Sequence, residues 1–90
     1  MALDKKAKQE FMAKAHKLKP VVMVGINGLS DNINMEVDRA LHDHELIKIR
    51  IHNSDRKLKQ QMFKDICEVA NADPVHFIGG IGVIYRKREE

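Results

Sequence analysis

From Leu46 to His52 the chain alternates with a period of two: Ile47, Ile49 and Ile51 fall on one side, Lys48, Arg50 and His52 on the other. The alternation predicts a strand with one buried face and one basic, wet face. Elsewhere the apolar positions follow helical spacing. Ala7, Phe11, Ala15 and Leu18 form one stripe of a helix over about Asp4 to Leu18, closed at Lys19-Pro20 because the residue before proline is pushed out of the helical region. Val21 to Val24 is a short, largely β-branched run ended by Gly25, the pattern of a buried strand. Ile33, Val37, Ala40 and Leu41 predict the clearest amphipathic helix, capped by Ser30 or Asp31 and ending near His42 to His44.

A third helix opens at Ser54 or Asp55, carries the stripe Leu58, Met62, Ile66, Val69 and Ala70, and stops at Asn71-Ala72-Asp73-Pro74. Val75 to Ile78 and Gly82 to Arg86 then flank Gly79-Gly80-Ile81, the composition of a tight hairpin. The expected fold is α/β: an N-terminal helix followed by β-α-β-α-β-β, a four-stranded mixed sheet with helices mainly on one face. Each strand-helix-strand unit favours parallel pairing, and the last two strands are antiparallel.

Composition narrows the class. Ninety residues, 43% hydrophobic and 32% charged, suit one folded domain over 1–90. No apolar run approaches the roughly 20 residues of a membrane span, and no signal-type segment opens the chain, so a cytoplasmic protein without a membrane partner is expected. The net charge of +3 is modest, but residues 1–20 carry +4 and residues 21–54 carry −2. That uneven distribution favours an anionic partner near the basic ends.

The junction Gly25-Ile26-Asn27-Gly28, between a strand and a helix, has two physical readings. A helix start offers unpaired N–H groups and partial positive charge, and glycines let a phosphate approach the backbone. Alternatively the glycines serve only a tight turn. The nucleotide-cofactor versions fail: Gly28-Leu29-Ser30 lacks the P-loop lysine, and no third glycine completes a dinucleotide fingerprint.

At this point the chain resembles a known family. The stretch from Leu18-Lys19-Pro20 through Val24-Gly25, Asn27-Gly28-Leu29 and His44-Glu45-Leu46-Ile47-Lys48, followed by Ile78-Gly79 and Ile84-Tyr85-Arg86, is similar to the CRM domain, in particular its bacterial stand-alone YhbY type. The resemblance covers residues 3 to 88. It implies a fold similar to the C-terminal domain of bacterial translation initiation factor 3 and an RNA-binding role on precursors of the large (50S) ribosomal subunit, with 23S rRNA as partner. The family's GxxG loop falls on Gly25, Ile26, Asn27 and Gly28, and is compared with the loop by which KH domains clamp a nucleic-acid backbone. The family's usual lysine at the position of Ile26, and its frequent lysine at that of Gly80, are absent.

Ser30, Lys48, Arg50, Arg86, Lys87, Arg88, Lys17 and Lys19 are the candidates to extend that loop into an RNA-binding surface, with Arg50 and Arg86 preferred because a guanidinium binds phosphate through two donors and stacks on bases. Aromatic residues are only Phe11, Phe63, Phe77 and Tyr85, so binding is expected to rest on phosphates and shape more than on stacking. His42 and His44 stand two apart, which does not put them on one helix face, and no metal site is expected. Cys67 reads as a buried structural thiol. No nucleophile with a base and oxyanion donors is visible, so neither an enzyme nor a cofactor is expected. The competing class is a protein-interaction module that engages a ribosomal protein through the sheet face or the Val83-Ile84-Tyr85 edge. A monomer is expected.

Overall fold

The computed structural model describes residues 3–25 and 27–88, with three helices and four strands among them. Helix α1 runs over Lys5–Ala15, and the Asp4 carboxylate accepts the Ala7 N–H at 2.7 Å to start it. Strand β1 is Pro20–Val24, helix α2 is Asp31–His44 and strand β2 is Leu46–Ile51. Helix α3, Arg56–Ala70, begins at Asp55, whose carboxylate accepts from the N–H groups of Lys57 and Leu58 at 2.9 and 3.2 Å. It ends at Asn71, in the left-handed region, where an amide side chain is tolerated. Strands β3, Asp73–Ile78, and β4, Ile81–Tyr85, complete the chain.

The sheet order is β1-β2-β4-β3, with β1 and β2 parallel and the other pairs antiparallel. The α2 crossover therefore joins neighbours, as expected. The α3 crossover does not: β4 inserts between β2 and β3. Burial explains the order. Gly82, Val83 and Ile84 of β4 are buried on both faces, which suits a central strand, whereas Pro74 removes a ladder donor from β3 and suits an edge.

Helices α2 and α3 pack on one face against Val22, Val24, Ile47, Ile49, Ile51 and Ile84. On α3 the buried stripe lies toward Phe63 and Cys67, leaving Leu58 and Val69 exposed. The cause is Gly82: a Cβ there would meet the Phe63 ring at 2.5 Å, so the missing side chain makes room for Phe63, which stacks on Phe77 at 4.7 Å. Helix α1 crosses to the opposite face, where Ala15, Val75 and Val83 form a smaller cluster with Phe11, Leu46 and Tyr85. That face is thus covered over β3 and β4 and open over β1. No helix among the described residues is long and apolar enough to cross a membrane.

Candidate nucleic-acid interface

The glycine junction hangs from the end of the β1–β2 pair. The Gly28 N–H donates to the Gly25 carbonyl at 3.0 Å, closing a turn that holds Gly28 at φ +79°. A side chain at Gly28 would be strained by that backbone angle. Gly25 differs: its φ lies outside the left-handed region and a Cβ built on it meets nothing within 4 Å. The fold leaves open space there. Ser30 is extended and caps α2, its Oγ accepting the Ile33 N–H at 3.2 Å. The preceding N–H groups, of Asp31 and Asn32, lie outside the helix's own ladder and face the loop end of the molecule.

Two further segments meet at that end. The His52 N–H donates to the Val24 carbonyl at 2.8 Å, and the Ile51 N–H to the Gly80 carbonyl at 2.7 Å, which ties the β3–β4 turn beside the loop. Gly80, at φ +83°, could carry no lysine here, because a Cβ would sit 2.6 Å from the Ile51 carbonyl oxygen. A lysine is supplied from elsewhere: the Lys59 side chain of α3 passes 3.8 Å from that Cβ position. Lys59 was not singled out by sequence, since only the folded hairpin brings it to the turn.

The structure divides the remaining candidates. Arg50 pairs with Met23 of β1 and Ile81 of β4, so a row of Met23, Arg50, Ile81 and Ile78 crosses the sheet next to the loop, with Met23 57% and Ile78 67% exposed. Lys48 lies one row farther, half-buried. Asn27 is exposed on the loop tip, and Ile26 lies outside the described residues. Lys17 and Lys19 stand before β1, at the opposite end of the sheet.

Arg86, Lys87 and Arg88 are also at that far end. The Arg86 guanidinium donates to the Asp38 carboxylate at 2.8 Å, the Ala70 carbonyl at 2.8 Å and the Asp38 carbonyl at 3.0 Å. Arg88 donates through Nε to the His42 carbonyl at 2.9 Å and through its guanidinium to the Asp43 carbonyl at 2.6 Å. Both arginines thus serve the α2 carbonyls, with Arg88 at the negative end of the helix dipole. Lys87 is exposed. Cys67 is buried, and loss of hydration, reinforced by Asp73 and Glu68, pushes its thiol up from 9.0 to about 11. It is a neutral thiol at ordinary pH.

Residues 3–86 match the CRS1 / YhbY (CRM) domain. The chain belongs to the CRM family. This CRM chain is 43% identical over 88 residues to an RNA-binding protein of Haemophilus influenzae, covering 98% of the chain and 89% of that relative. It is 38% identical over 87 residues to a Pseudomonas aeruginosa protein named as a probable RNA-binding protein, covering 97% of the chain and 84% of that relative. The CRM fold also superposes on the solution structure of a Staphylococcus aureus protein with a TM-score of 0.85 at 28% identity, over 98% of this chain and 92% of the other.

Proposed function

We propose that this CRM chain binds RNA through the glycine loop, and that its target is 23S rRNA in precursors of the large ribosomal subunit in the cytoplasm. The relatives named as RNA-binding proteins support the first part. One observation carries the loop assignment: Gly25 needs neither positive φ nor close packing, yet keeps open space beside free helix-start N–H groups. A phosphate approaching there meets backbone donors and the positive end of the α2 dipole. Arg50 on the adjacent sheet row and Lys59 beside the turn add positive charge near it.

The test is rRNA binding by the wild type and by an Asn27→Asp, Ser30→Asp variant over a salt titration. Aspartate at position 30 still caps α2, so the fold is kept while negative charge is placed at the loop. Loss of affinity in a variant with an unchanged circular dichroism spectrum supports the phosphate site. Equal binding means that the loop serves only the turn. The exposed Met23 and Ile78 favour a second reading, a protein partner on the sheet. Stable binding to a ribosomal or assembly protein after nuclease treatment would select it over RNA.

A further inference from the structure

Helix α1 leaves a groove of about 550 Å³ between its C-terminal half and the β1–β2 strands. Leu18, Val21 and Leu46 line it, and one wall is the Phe11–Tyr85 pair, stacked with centroids 4.2 Å apart and planes inclined by 24°. Lys14, Lys19 and Lys48 stand around this apolar floor, with Lys14 over the Phe11 ring at 5.7 Å. The opposing acid is Glu45, one of whose carboxylate oxygens accepts the Arg88 N–H at 2.7 Å; His44 is the remaining titratable neighbour, besides Tyr85 itself. Three cations facing one hydrogen-bonded carboxylate select an anion, and a flat apolar wall selects a planar body.

We propose that this groove receives a nucleotide of the bound RNA, its base against Val21 and the Phe11–Tyr85 wall and its phosphates among Lys14, Lys19 and Lys48. The inference rests on the RNA-binding reading above and deepens it. Position supports one continuous path. Val21 lies two residues before Met23 on β1, at the point where the β1–β2 register shifts, and Lys48, paired with Pro20, lies two before Arg50 on β2, so the sheet face open over β1 leads from the glycine loop to the groove, about 13 Å along β1. A base held here adds a stacking contact that the sparse aromatic content of the chain does not otherwise offer.

Val21 is 52% exposed, so its substitution probes the groove without opening the core. Binding of a fluorescently labelled single-stranded RNA is measured for the wild type, Val21→Glu and Val21→Lys, alongside the Asn27→Asp, Ser30→Asp loop variant, with folding followed by circular dichroism. Amide shifts on RNA addition are mapped for the wild type. Expected are shifts at Val21 and Tyr85 and an affinity loss of about tenfold for Val21→Glu, which Val21→Lys, trading the apolar contact for a cation, reproduces only in part. Val21→Glu binding like the wild type, with shifts confined to the loop, overturns the groove while leaving RNA binding intact. Shifts at Val21 and Tyr85 that follow protein concentration instead of RNA would give the groove to a second copy of the chain and overturn the inference. A wild type that binds no RNA removes both readings.

Discussion

Removing the guanidinium of Arg86 strips donors from the Ala70 carbonyl and breaks its 2.8 Å ion pair with Asp38. Arg86→Ala is expected to lower unfolding stability by about 1–3 kcal/mol in denaturant titrations, with RNA affinity unchanged. A drop in affinity without a stability loss would return Arg86 to the RNA surface. In the sequence this arginine reads as one base in a basic tail, because nothing local shows that Asp38, 48 positions away, lies beside it. Cys67 illustrates the opposite case: its apolar helical setting already marked a buried thiol. Its folded pKa is raised, so the stability it contributes is complete below pH 9 and is lost as pH climbs toward 11. Comparing the high-pH unfolding of the wild type with that of Cys67→Ala isolates this component: the variant should show the shallower decline.

Among the elements, α2 ties the proposed phosphate site to the rest of the fold, since one end starts at the glycine loop and the other half is held by Arg86 and Arg88. Ser30→Ala should cost about 1 kcal/mol in thermal or chemical unfolding, because the Ile33 N–H loses its acceptor. Composition left Ser30 and Asp31 as equal caps; the extended backbone of Ser30 decides between them. Helix and strand types were legible because their apolar periods are clean, most plainly in β2. Spatial order was not. Periodicity shows which side of a strand is buried but not which strand is its neighbour, so the insertion of β4 between β2 and β3 had to come from the sheet. Likewise the α3 stripe shifted because Gly82 opens a seat for Phe63, a relation between residues on separate elements.

At the scale of the molecule, the candidate cations fall at two ends of a sheet whose β2 strand spans about 20 Å. The GxxG spacing and the basic face of β2 were legible in the sequence. The division of the set was not, because linear proximity to a basic tail does not reveal that two of its arginines are engaged by helix carbonyls. If about five phosphates are neutralised on a single-stranded target, log K should fall with log salt at a slope near −3.5. A flat salt response would argue against a phosphate-led interface.

The stacked pair under α1 also gives the protein a built-in fluorophore. The chain has one tyrosine and no tryptophan, so its ultraviolet emission under selective tyrosine excitation arises from Tyr85, at the seam between α1 and the sheet. Helix α1 rests on the smaller apolar cluster, whereas α2 and α3 share the larger one. In mild denaturant the tyrosine signal should therefore change before far-ultraviolet circular dichroism reports general loss of structure. Coincident transitions would mean that α1 is welded to the rest. A quantum-yield measurement on the unlabelled chain thus reads out a single joint of the molecule without any engineered probe.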